Sequence, residues 1–131
     1  MDADTQVSGI KVMVIDDSKV IRRSAESMLA REGFTVFTAE DGFDALSKIA
    51  ENEPEIIFVD IMMPRLDGYQ TCALIKNNSR FRGTPVVMLS SKEGLFDKAK
   101  GRVVGSDSYL TKPFSREDLL GAIHSLVQNG A

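Results

Sequence analysis

Two hydrophobic periods alternate five times along this chain, and no other feature restricts its fold as much. The runs KVMVI (11–15), IIFV (56–59), PVVML (85–89) and SYL (108–110) lack polar alternation and read as buried strands. FTVFT (34–38) alternates and reads as a strand less completely covered. Short continuous apolar strands suit a parallel sheet packed on both faces. Helical spacing fills the gaps. Ile21, Ala25, Met28 and Leu29 form one stripe, and Ala45, Leu46, Ile49 and Ala50 repeat it after the EDG turn at 40–42. A third helix is predicted over 69–77 around Ala73, Leu74 and Ile75. A fourth, over 95–104, contains Gly101 and ends at Gly105 as the left-handed residue just past it. The last opens on Ser115 with Asp118 three positions on, a capping box. Five βα units in succession imply an α/β, doubly wound, five-stranded parallel sheet with right-handed crossovers.

In open sheets of this kind, ligands sit outside the carboxyl ends of the strands. The residues predicted there are Asp16 and Asp17 after the first strand, Asp60 after the third, Ser90 and Ser91 after the fourth, and Lys112 and Pro113 after the fifth. Each alone has an ordinary explanation: an aspartate after a strand forms turns or caps helices. Together they place three carboxylates, hydroxyls and one ammonium on a single edge. Close like charges repel by roughly 1–4 kcal/mol per pair, depending on the local dielectric, so such a cluster calls for raised pKa values or a bound cation. An all-oxygen ligand set favours a hard divalent ion, most naturally Mg2+. A carboxylate beside Mg2+, with a hydroxyl and an ammonium aimed at it, suits phosphoryl transfer to that carboxylate, with Asp60 as nucleophile.

The motifs VIDDS (14–18), FVDIMMPRLDG (58–68), VVMLSS (86–91) and YLTKPF (109–114) resemble those of the CheY-like receiver domains of two-component response regulators, over roughly residues 10–128. The resemblance implies strand order 2-1-3-4-5; residues 1–9 are expected to be a flexible tail, with a receiver domain over 10–128 and no effector domain. It implies Asp60 as phospho-acceptor, and Mg2+ held by Asp17, Asp60 and the Met62 backbone carbonyl, with Asp16 acting through water. It implies Ser90 as switch hydroxyl, Tyr109 as the aromatic ring that turns inward with it, Lys112 paired to the phosphoryl oxygens, and a cis Lys112–Pro113 bond. The stretches DGYQTCALIKNN and SSKEGLFDKAKGRVVGSDSYLTKPF are closer still to a branch that controls type IV pili and twitching motility. A CheA-like histidine kinase, or its phosphotransfer domain, is then the expected donor. The expected target is a protein docked on the face of the fourth helix, fifth strand and fifth helix. A flagellar chemotaxis receiver and a phosphorylation-independent scaffold are the alternatives. The module is expected to catalyse only its own phosphorylation and dephosphorylation.

Two positions depart from the chemotaxis member. Met62 stands where that protein has an amide, and Lys92 where it has an acid. A thioether cannot orient an attacking water and an ammonium can shield the phosphoryl group, so a longer-lived phosphoryl group is expected.

Several function classes are disfavoured. Phosphate-ester hydrolases of the haloacid-dehalogenase type need an acid two residues after the nucleophile, and Met62 occupies that place. DDSKVIRR contains no glycine to cradle a nucleotide phosphate. A net charge of −3 in 131 residues does not suit nucleic-acid binding, and no apolar run is long enough to insert in a membrane. Cys72, the only cysteine, fits helix packing and a reducing, cytoplasmic setting. His124 falls on a helix surface. Arg22 and Arg23 read as a solvated face or a kinase contact, and Lys98, Lys100 and Arg102 as a basic patch for a partner.

Overall fold

The computed structural model describes residues 9–91 and 97–127. The elements are β1 (Lys11–Ile15), α1 (Lys19–Arg31), β2 (Thr35–Ala39), α2 (Gly42–Asn52), β3 (Ile56–Asp60), α3 (Gly68–Lys76), β4 (Val86–Ser90), α4 (Lys98–Val104), β5 (Ser108–Thr111) and α5 (Arg116–Leu126). All pairings are parallel and the strands lie in the order β2-β1-β3-β4-β5, as expected.

Successive side chains of a strand point to opposite faces, and the core divides accordingly. Met13, Ile15, Ile57, Val59, Val86 and Met88 face α2 and α3, meeting Ala45, Ile49, Tyr69, Cys72 and Ile75. Val12, Val14, Ile56, Phe58, Val87 and Leu89 face α1 and α5, meeting Ala25, Leu29, Leu119 and Ile123. The central strands β3 and β4 are buried at every residue, which is why their sequences show no polar alternation.

The boundaries differ from the sequence expectation by about one residue. β3 and β4 each include the polar residue predicted to follow them, because the ladder continues through Asp60↔Leu89 and Ser90↔Thr111. β2 runs 35–39 rather than 34–38; Phe34 is instead buried on the α1/α5 face. α3 starts one residue early, at Gly68, because Asp67 caps it in a reciprocal box with Gln70. α4 begins at Lys98 with Asp97 as cap; the earlier part of the predicted fourth helix, like residues 1–8 of the expected tail, lies outside the described residues. Gly105 ends α4 at φ 86, and Ser115 with Asp118 caps α5 in the predicted box. Among the described residues, no helix is long and apolar enough to cross a membrane.

Candidate functional site

Parallel pairing carries the C-terminal ends of β1, β3, β4 and β5 to one edge of the sheet. Four of the predicted side chains meet there. Lys112 Nζ donates to Asp60 Oδ1 at 3.0 Å and lies 2.6 Å from Asp16 Oδ2. Asp16, Asp17 and Asp60 each present a carboxylate oxygen within 4.8 Å of the others. Asp16 is fully buried and Asp60 is 5% exposed, whereas Asp17 faces outward.

Local geometry fixes Asp16 firmly. Its Oδ1 accepts the Ser18 N–H at 2.9 Å, and Ser18 in turn caps α1 through the Ile21 N–H. Arg22 Nη1 donates to the Asp16 carbonyl at 2.7 Å. Arg22 is therefore a brace for the β1–α1 turn, a correction to the solvated face expected of it; Arg23 is exposed as expected. Asp16 Oδ2, also buried, is partnered by the Lys112 ammonium 2.6 Å away.

Burial, followed by the neighbouring Asp16 charge, outweighs the pull of Lys112 and raises the Asp60 carboxyl from 3.8 to about 6. Burial by itself would lower Lys112, but the contacts and charges of the two carboxylates win and hold its ammonium above the ordinary lysine value. One ammonium thus faces three carboxylates, and the excess negative charge on a cluster of oxygen donors fits a hard divalent cation.

The remaining predicted residues are placed less closely. Ser90 is buried at the end of β4, where its Oγ donates to the Ser91 carbonyl at 3.1 Å. Tyr109 on β5 is 38% exposed, with the Lys98 ammonium 5.9 Å from its ring centroid. The Met62 side chain is 66% exposed beside the site. The Lys112–Pro113 bond is cis. Lys92 lies outside the described residues. Away from the site, Cys72 is buried and its thiol, pushed up by burial to about 11, donates to the Val104 carbonyl; His124 is exposed on α5. Lys98 and Arg102 line a groove of about 320 Å3 with Ser106, Asp107, Ser108 and Tyr109, while Lys100 lies over the Tyr69 ring at 4.7 Å.

Two contributors escaped the sequence reading. Gly68 lies against the end of β3: its N–H donates to the Ile61 carbonyl at 2.9 Å, and a Cβ there would fall 2.4 Å from the Asp60 carbonyl oxygen. The glycine of the LDG motif is its only trace in sequence. Arg65, in the same loop, has φ 68, a conformation that costs a non-glycine residue about 1 kcal/mol. Nothing in the order of residues signals its partner, Asp41, at 2.7 Å.

The profile of the response regulator receiver domain matches residues 12–124. Protein PilG of Pseudomonas aeruginosa is 73% identical over 124 residues, which cover 95% of this chain and 92% of that protein. Response regulator MprA of a Mycobacterium species is 34% identical over 91% of this chain, which spans about half (51%) of MprA's length. Among solved structures, chemotaxis protein CheY4 of Vibrio cholerae superposes with a TM-score of 0.85 at 32% identity, covering 91% of this chain and 99% of that one. The receiver domain of the Francisella response regulator 1452 superposes with a TM-score of 0.82 at 34% identity, over 94% and 100% of the two chains.

Proposed function

The chain belongs to the response regulator receiver domain family, and from that membership we propose that it is a phosphorylation-controlled binding module that takes a phosphoryl group from a histidine kinase onto Asp60. The observation that carries this is the Lys112 ammonium set between Asp16 and Asp60, with Asp17 completing a compact carboxylate cluster.

Even without metal, at about 6, the Asp60 carboxyl is ionised near pH 7 and so available as a nucleophile. One Asp60 Oδ attacks phosphorus in line; the P–N bond of the phosphohistidine breaks, and the imidazole leaves with its electron pair. Asp17, Asp60 and the Met62 carbonyl would hold Mg2+, with Asp16 acting through water; bound there, the metal neutralises charge on the phosphoryl oxygens. Lys112 releases Asp60 Oδ1 to pair with a phosphoryl oxygen. Ser90 Oγ, leaving the Ser91 carbonyl, donates to another, and the Tyr109 ring moves inward behind it. The altered face of α4, β5 and α5, with Lys98, Lys100 and Arg102, then meets a target protein. A CheA-like kinase or its phosphotransfer domain supplies the phosphoryl group, and the module works in the cytoplasm. The 73% identity to PilG, with the motif resemblance, supports a role in type IV pilus and twitching control.

Intact mass after incubation with Mg2+ and acetyl phosphate tests the acceptor. A single phosphoryl adduct is expected in wild type and none in Asp60→Ala or without Mg2+. An adduct that persists in Asp60→Ala refutes Asp60, and no adduct with several donors favours a phosphorylation-independent scaffold. The adduct is also expected to persist well beyond seconds, since the exposed Met62 thioether cannot orient a water for attack; decay within seconds after donor removal would exclude this.

A further inference from the structure

The loop after Asp60 holds a residue in a backbone conformation that glycine and asparagine adopt most easily. Arg65 has φ 68. Its guanidinium is fastened to the start of α2: Nη2 donates to Asp41 Oδ2 at 2.7 Å, and the group lies 5.6 Å from the centroid of the Phe43 ring. The other Asp41 oxygen accepts the Asp44 N–H at 2.7 Å as the cap of α2. The next residue, Leu66, packs so closely on Gly42 that a Cβ there would fall 2.6 Å from its Cδ2. At its far end the loop returns to β3 through the Gly68 N–H and the Ile61 carbonyl. Residues 61–67 are thus pinned at two places, and Met62 lies between them.

We propose that Arg65 is a positioning residue for the divalent-cation site. Its clip to Asp41 fixes the course of the 61–67 loop, and so sets the Met62 carbonyl relative to the carboxylates of Asp17 and Asp60. This rests on the assignment of those three groups as Mg2+ ligands. Mg2+ demands near-ideal octahedral geometry, so a ligand carried on a loose loop weakens binding even when the fold is intact. Electrostatics alone predicts the opposite for this residue, because removing a cation near the site tightens Mg2+ binding.

The test is the Mg2+ dissociation constant, from amide NMR titrations of wild type, Arg65→Asn, Asp41→Asn and the double variant, with metal-free urea midpoints alongside. Asparagine tolerates the left-handed backbone at 65 and preserves the cap at 41. Each single variant is expected to bind Mg2+ about tenfold more weakly, and the double variant no more weakly than the worse single, as for two halves of one contact. Midpoints near wild type are expected throughout. Wild-type or tighter binding by Arg65→Asn overturns the proposal, as does an additive loss in the double variant. A loss confined to variants with a lowered midpoint makes the clip a folding device and also overturns it. If wild type itself fails to bind Mg2+, the ligand assignment falls first, and the proposal with it.

Discussion

Asp60 closes a strand whose five residues are all buried, and its carboxylate keeps one hydrogen bond to a described side chain, from Lys112. A carboxyl raised from 3.8 to about 6 means that the metal-free folded state binds more protons than the unfolded chain between those values. Stability from this group therefore falls as pH rises from about 4 to 6 and stays low above that, by up to ~3 kcal/mol. Metal-free Asp60→Asn is expected to resist urea better than wild type at pH 7.5, with the gap closing towards pH 4. A wild type equal to the variant at pH 7.5 would contradict the raised value. Asp16, Asp17, Asp60, Ser90 and Lys112 were legible in sequence because a parallel sheet assigns strand ends to one edge before any side chain is placed. Arg22 and Arg65 were not. One braces a backbone carbonyl and the other pairs across 24 positions, and neither type of contact leaves a periodic signal.

At the scale of elements, caps and ladders account for where the sequence and the structure part. Hydrophobic period stops at Val59 and Leu89, but strand hydrogen bonding continues through Asp60 and Ser90, whose backbones pair whatever their side chains. The Ser115 box was visible in advance; the Asp67–Gln70 box was hidden by the motif around it. The first residues of α2 and α3 are both glycines in close contact, yet they are expected to respond differently. A Cβ at Gly68 meets the backbone of Asp60 and Ile61, at 2.4 and 2.7 Å, and neither can retreat without moving the end of β3. Gly68→Ala is expected to cost about 2–3 kcal/mol and to abolish phosphoryl uptake. A Cβ at Gly42 meets side chains first, Thr71 Oγ1 at 2.5 Å and Leu66 Cδ2 at 2.6 Å, so Gly42→Ala is expected to cost less, ~1 kcal/mol, and to lower uptake only in part, through the displaced Leu66. Urea titration and adduct mass on the two variants check this pair; equal losses would show that the Asp60 backbone gives way as easily as a side chain.

Over the whole molecule, a single sheet separates two apolar clusters, one towards α2 and α3 and one towards α1 and α5. This organisation was readable from the alternation of strands and helices. The choice of neighbours in the sheet was not, since five βα units permit several orders, and 2-1-3-4-5 came from the motif resemblance. Because every strand points the same way, the charged cluster occupies one pole. The connections between α3 and β4, and between α4 and β5, lie at the other. Gly83 sits in the longer of these with open space where a Cβ would be. The chain therefore offers a site for engineering: a short epitope or fluorophore-binding peptide spliced in at Gly83 is expected to leave phosphoryl uptake at wild-type level, as read by intact mass. The same insert in the 61–67 loop is expected to abolish uptake. The charged cluster keeps to one pole, so a reporter can ride at Gly83 on the opposite one without touching it.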